Sequence, residues 1–195
     1  GNVYLQPVRI LVLDEFDKSL ELGFHEEMRK LIKRMPNISR QILTSATRIS
    51  ECPDFINLRD AETLCFFSES TVESRINVLR VESDMRDKLE TLRTLLYNIE
   101  PGKTIIFANH RESALRIFDY LKTLHLPVGL YHGGLDQIDR EKAVMMLNNG
   151  TFSIMVTTDL GSRGLDISDV KHIVHYHLPQ TEETYTHRNG RTARV

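Results

Sequence analysis

A chain of 195 residues has room for one ordinary domain or parts of two. With 41% hydrophobic and 27% charged residues it has the make-up of a globular protein with a sizeable core, which excludes a disordered chain. A net charge of −2 excludes a surface that attracts nucleic acid all over, so any such site must be a local groove.

No apolar run is long enough to span a membrane, and no basic stretch followed by an apolar one opens the chain, so neither a membrane segment nor a signal peptide is expected. Cys52 and Cys65 are not paired closely with histidines. A zinc site is therefore not expected, and a reducing intracellular compartment, cytoplasmic in the simplest case, suits two free thiols.

The first predicted element is a strand over Arg9–Leu13, short, apolar and β-branched, read as buried and ending in Asp14-Glu15-Phe16-Asp17. Leu22, Phe24, Met28, Leu31, Ile32 and Met35 recur at helical spacing and predict a helix from Leu22 to Met35, stopped by Pro36. Strands are predicted over Gln41–Leu43, running into Ser45-Ala46-Thr47, and over Thr63–Phe67. The polar stretch from Ser68 to about Arg75 has no apolar period and predicts a linker between two domains.

After the linker, strands at 76–81, 104–108, 128–131, 153–157 and 170–177 alternate with helices at 85–98, 112–123, 136–149 and from 181 onward. Such alternation predicts a parallel sheet wrapped by helices, with ligand-binding loops at the carboxyl ends of its strands.

Three clusters carry chemistry. Adjacent carboxylates at Asp14-Glu15 and Asp17 can share a magnesium ion and a water, or form a solvated acidic turn. The run Thr157 to Asp166 offers hydroxyls, glycines, Arg163 and a closing aspartate, suited to phosphate oxygens and a ribose hydroxyl, or to an ordinary strand-to-loop turn. His187 to Arg194 holds Arg188, Arg191 and Arg194, forks that bind phosphate bidentately, or a charged helix end facing solvent.

The order of these pieces resembles the DEAD-box family of RNA helicases, built from two RecA-like domains. Asp14-Glu15-Phe16-Asp17 is similar to the family's Asp-Glu-Ala-Asp motif, and Ser45-Ala46-Thr47 matches its Ser-Ala-Thr motif. Ile105 to Asn109 resembles the fourth motif, and His132-Gly133 with Gln137 and Arg140 the RNA-facing segment after it. Thr158–Asp166 and His187–Arg194 are similar to the fifth and sixth motifs.

The resemblance implies an α/β fold: residues 1–67 finish a first RecA-like domain, 68–75 link, and 76–195 form most of a second, a parallel sheet with helices on both faces. It implies ATP and magnesium as cofactors and RNA as partner, gripped mainly by its backbone. Asp14 would hold magnesium through water and Glu15 would polarise the attacking water. Asp17, Ser45, Ala46 and Thr47, with His187 and Arg188 reaching back to the first domain, would couple the nucleotide state to domain closure. Gly133, Gln137, Arg140 and Thr158 would touch RNA. Gly164 and Asp166 would meet the nucleotide, and Arg191 and Arg194 would act as arginine fingers.

Phe16 stands where the family has alanine, His110 where it has threonine, and Ala193 where it has glycine, a position that resists a side chain if its φ is positive. No Gly-x-x-x-x-Gly-Lys-Thr phosphate loop occurs. Pro101-Gly102-Lys103-Thr104 shares its tail but lacks the upstream glycine and precedes a predicted strand. The sheet is expected to continue past Arg194, and the chain alone is expected to turn over no ATP. A nucleic-acid-binding or protein-docking module without ATPase activity, and a DNA-directed helicase relative, are the rival readings.

Overall fold

The structure, a computed structural model, describes residues 3–21, 23–45, 52–57, 60–65, 76–83, 88–162 and 167–192. The chain divides into two compact units, Gly1–Phe67 and Ser68–Val195.

In the first unit, β1 (Ile10–Leu13) and β2 (Arg40–Leu43) pair in parallel, Ile10 opposite Arg40 and Leu13 opposite Leu43. Between them lie α1 (Phe16–Glu21) and α2 (His25–Lys33). The single helix predicted from Leu22 to Met35 is thus shorter, and a turn through Gly23, at φ 77°, separates it from α1. Sequence reading missed α1 because its six residues are too few to set up a period. Leu22 lies outside the described residues.

The expectation that Arg9–Leu13 is a buried strand is corrected. The strand forms, but Ile10 and Val12 are each 56% exposed and Ile42 on β2 is 43% exposed. Among the described residues nothing is layered over that face. Phe16 and Ile56 are the buried hydrophobic residues among those described in this unit. Residues 60–65 carry no strand, which corrects the one expected at Thr63–Phe67 as far as it is described; residues 66 and 67 lie outside the described residues.

The second unit contains α3 (Lys88–Asn98), β3 (Lys103–Phe107), α4 (Arg111–Thr123), β4 (Val128–Tyr131), α5 (Gln137–Asn148), β5 (Ile154–Thr157), β6 (Val170–His175) and α6 (Glu182–Asn189). Its sheet is parallel, in the order β4-β5-β3-β6. A strand expected over Ile76–Val81 is absent. Val78 and Leu79 are exposed there, and residues 76–83 pair with no strand among those described. Apolar alternation supplies a face to bury, but a strand also needs a neighbour to accept its hydrogen bonds. Residues 66–75, which include the expected linker, lie outside the described residues.

Alternation along the central strands divides the core in two. Ile105, Phe107 and Met155 point to one face and pack with Ala143 and Leu147 of α5. Ile106 and Val156 point to the other and pack with Leu89 and Leu92 of α3 and with Ala114, Ile117 and Leu121 of α4. Side chains on a strand alternate faces, so an unbroken apolar run such as Ile105–Ala108 requires helices on both sides.

Capping sets where two helices begin. Asp136 accepts from the backbone N–H of Asp139 at 2.8 Å, and Thr181 from that of Thr184 at 3.2 Å, so α5 and α6 each start one residue after a side-chain oxygen. Pro101-Gly102 leads into β3 as a turn, with Lys103 opening the strand.

Gly129 on β4 has a packing reason for being glycine. A Cβ built there would lie 2.0 Å from Cζ of the buried Phe152 ring. Gly129→Ala is therefore expected to destabilise the second unit by about 1–3 kcal/mol, the usual cost of overpacking a core. The check is the urea midpoint followed by tyrosine fluorescence; five of the six tyrosines lie in residues 68–195, so the signal reports on this unit.

Candidate nucleotide and RNA site

At the carboxyl end of β1 the chain turns sharply. Glu15 has φ 48°, a left-handed conformation that costs a non-glycine residue about 1 kcal/mol. Thr44, the residue after β2, holds this turn. Its N–H donates to Leu13 O at 3.0 Å, its carbonyl accepts from Phe16 N–H at 3.0 Å, and its hydroxyl donates to Asp14 Oδ1. Glu15 N–H donates to the same Oδ1 at 3.0 Å.

The hydrogen bonds described for Asp14 thus converge on one carboxylate oxygen, and the residue stays exposed. This arrangement fits a magnesium ion held through water, since magnesium keeps several waters and takes only one or two carboxylates. Among the described residues no cluster of three or more His, Cys, Asp or Glu side chains could cage a metal directly.

Phe16 faces inward and is fully buried, so the bulk that departs from the family motif is part of the core. Asp17 is buried in the first turn of α1, where its Oδ1 accepts from Lys18 N–H at 3.0 Å. Ser45 is half-buried next to Thr44; Ala46 and Thr47 lie outside the described residues. Sequence reading missed Thr44, although its place beside Ser45 at a strand end was the available signal.

In the second unit β4 and β5 lie side by side with Tyr131 opposite Thr157, so His132 and Thr158 leave the sheet as neighbours. Gly133 is exposed, and a Cβ built on it would lie 3.6 Å from Leu160 in the 3-10 turn Asp159–Ser162. Gln137 and Arg140 occupy the first turn of α5 just beyond. The structure therefore gathers Gly133, Gln137, Arg140 and Thr158 at the carboxyl ends of two adjacent strands. His132 is buried, and its Nδ1 accepts from Gly134 N–H at 3.0 Å, which shapes the glycine turn. His110 is exposed directly before α4. Gly164, Asp166, Ala193 and Arg194 lie outside the described residues.

Arg188, which the resemblance would have reach back to the first domain, is held by partners within the second unit. The side chain is fully buried inside the second unit, with its guanidinium 5.0 Å from the Phe107 ring centroid. Nε and Nη2 meet Asp159 Oδ1, each at 2.6 Å, while Nη1 donates to His177 O at 2.7 Å and Nη2 to Asn109 Oδ1 at 2.9 Å. A buried guanidinium must find acceptors for its five donors, and here they come from the ends of β3, β5 and β6. Arg188 therefore ties the fourth, fifth and sixth motif segments together. His187 is 3.8 Å from Glu183 one turn earlier, and Arg191 follows α6, its N–H donating to Arg188 O at 3.2 Å.

Three histidines are held below the ordinary imidazole value of 6.5, in each case mainly by burial. Arg111 adds to the effect at His132, Arg188 at His175, and Lys88, His110 and Arg188 at His177. The folded chain keeps these rings neutral where the unfolded chain protonates them. Their stabilising effect is therefore complete above pH 6.5 and lost as pH falls below it toward the folded values. Urea midpoints are expected to be flat above about pH 7.5 and to fall through the mildly acidic range. Midpoints that held level or rose there would contradict this assignment.

Comparison with known proteins agrees with the geometry. The helicase conserved C-terminal domain matches residues 87–195, more than half of the chain, and the DEAD/DEAH box helicase family matches residues 1–55. The DEAD-box ATP-dependent RNA helicase CshB of Bacillus subtilis is 32% identical over 187 residues, covering 95% of this chain and 43% of the relative. The ATP-dependent RNA helicase RhlB of Haemophilus influenzae is 34% identical over 200 residues, covering all of this chain and 48% of the relative.

The chain thus spans less than half the length of these curated relatives. Among solved structures, Saccharomyces cerevisiae Dbp5 bound to RNA and ADP BeF3 superposes with a TM-score of 0.73 at 25% identity, over 97% of this chain and 51% of that one. A DEAD box protein from Methanococcus jannaschii gives 0.60 at 28% identity, over 98% and 52%. The parallel RecA-like sheets, the motif residues at their strand ends and these matches together establish that the chain belongs to the DEAD-box helicase family.

Proposed function

We propose that this chain is the carboxyl-terminal part of an ATP-dependent RNA helicase core, and that the whole protein couples ATP hydrolysis to remodelling of RNA duplexes. The observation that carries this reading is the gathering of Gly133, Gln137, Arg140 and Thr158 at the ends of β4 and β5. Backbone N–H groups, an amide, a guanidinium and a hydroxyl suit phosphate and sugar, and contacts of that kind tolerate any base sequence. The relatives' description as ATP-dependent RNA helicases and Dbp5's capture with RNA and ADP BeF3 support it.

In this reading Asp14 would hold magnesium through water, and Glu15, in its left-handed backbone conformation, takes the proton of the attacking water. Magnesium, when bound, neutralises phosphate charge. Arg191 and Arg194 supply positive charge to the same phosphates, and Gly164 and Asp166 meet the nucleotide. Asp17, Ser45, Ala46, Thr47 and His187 relay the nucleotide state to domain closure. Two free, exposed cysteines suit a reducing compartment such as the cytoplasm, and no helix among the described residues is long and apolar enough to cross a membrane.

The test is ATP turnover by the full-length protein with single-stranded RNA or DNA of equal length. RNA is expected to stimulate turnover and DNA to compete poorly, because the 2′-hydroxyl distinguishes the polymers. Equal stimulation by both would favour the DNA-directed relative. RNA binding without turnover would leave a binding module.

A further inference from the structure

The sixth-motif arginines hang on a histidine that belongs to none of the motifs. His175, the last residue of β6, is flanked by aromatic rings, Tyr185 of α6 with centroids 5.1 Å apart and Phe107 of β3 at 6.3 Å, both near-parallel. Its Nε2 lies 2.9 Å from Asn189 Oδ1 and its Nδ1 lies 3.4 Å from Arg188 Nη1. A guanidinium can only donate, so Nδ1 must be the accepting nitrogen. Nε2 then carries the proton and donates to the Asn189 carbonyl oxygen. A single neutral tautomer satisfies both partners, whereas an imidazolium would set an N–H against the N–H of Arg188.

Those partners are the last two residues of α6, and the turn after it is built on them. Arg191 N–H donates to Arg188 O at 3.2 Å, and Thr192 N–H to Asn189 O at 3.0 Å. We infer that His175 is a positioning residue for Arg191: the neutral ring locks Arg188 and Asn189 and thereby sets where the next turn points its arginine. The inference rests on the reading above, in which Arg191 acts on phosphates.

The surroundings of the ring decide its sensitivity to acid. From α6 it faces Arg188, Asn189 and Tyr185; from the end of β3, Phe107, with Asn109 sharing Arg188; and from the 3-10 turn, Asp159, which favours a charged ring. His177, two residues on and subject to Lys88 and His110, shares Arg188 with it. Burial and Arg188 outweigh Asp159 and Asn189, so the ring stays neutral at physiological pH. Acid that protonates it would release the lock on Arg188.

Two arms test this. In the full-length protein, His175→Phe keeps a ring between Tyr185 and Phe107 but removes both hydrogen bonds. It is expected to lower kcat for RNA-stimulated ATP turnover about tenfold or more, with KM for ATP changed less than about threefold, because misplacing an aligned group costs rate more than affinity. His175→Gln, which can still donate to Asn189 and cannot be protonated, is expected to recover most of kcat and to flatten the acid limb of the pH–rate profile. Equal kcat in wild type and His175→Phe, or an unchanged acid limb in His175→Gln, overturns the inference.

The second arm needs no turnover. In this chain, imidazole nitrogen NMR is expected to find Nε2 protonated and Nδ1 bare near neutral pH, and the Arg191 and Thr192 amide resonances are expected to move in His175→Phe and return in His175→Gln. The opposite tautomer, or amides that stay in place, overturns the inference. If the wild-type full-length protein has no RNA-stimulated turnover, the helicase reading fails, and the NMR arm alone decides the role of His175 in placing Arg191.

Discussion

Arg188→Met is expected to be among the most destabilising single changes in the second unit. Methionine keeps the apolar stem against Phe107 but leaves His177 O, Asn109 Oδ1 and Asp159 without the donor that now serves all three. Removing one partner of a buried ion pair typically costs 3–5 kcal/mol, and the value here is expected near about 3 kcal/mol because water reaches Asp159. The Asp159 side chain is 47% exposed although that of Arg188 is fully buried.

The measurement is the urea midpoint of wild type, Arg188→Met, Asp159→Asn and the double variant. A coupling energy of at least about 1 kcal/mol is expected between positions in direct contact. Additive effects would show that the pair is incidental. Arg188→Lys is expected to recover little, since an ammonium cannot serve acceptors set around a planar fork.

Glu15→Gln is expected to have the largest effect on activity. The amide matches the carboxylate in size and leaves the backbone hydrogen bonds of the turn in place, including Glu15 N–H to Asp14 Oδ1. What it removes is the proton acceptor. If Glu15 serves as general base, kcat for ATP in the full-length protein should fall about 10²–10⁴-fold while KM for ATP stays near its wild-type value. A loss confined to KM would reassign Glu15 to binding, and unchanged kcat would remove it from the chemistry. Unaltered urea unfolding of the variant is the control that keeps a folding defect from passing as a catalytic one.

Much of the second unit was legible in the sequence because its periods are long and its partners local. Thr104–Ala108 and Ser153–Thr157 read as strands of a parallel sheet, and the helices predicted at 112–123, 136–149 and from 181 onward appear within a few residues of those bounds. Failures came where an element depends on a neighbour rather than on its own pattern. Ile76–Val81 has strand composition but no paired strand among the described residues, and α1 is too short to declare a period.

The acidic turn after β1 divides the same way. Side-chain type and order sufficed to single out Asp14 and Glu15, since carboxylates at a strand end carry their chemistry with them. Thr44 is thirty residues from Asp14, and only the parallel pairing of β1 with β2 brings its hydroxyl to that carboxylate. Arg188 makes the point most strongly. From sequence it was one of a row of arginines whose donors could face solvent, phosphate or another domain, because a long cationic side chain does not encode its own burial.

Family, fold class and the identity of the chemical groups were thus determined by the sequence alone, through motif order and hydrophobic period. Which of those groups face outward, and which are consumed in holding the others, was decided by tertiary structure. The physical reason is that burial and hydrogen-bond partnership belong to residue pairs that only the packed strand ends bring together: Arg188 with Asp159 and Asn109, and His175 with Asn189.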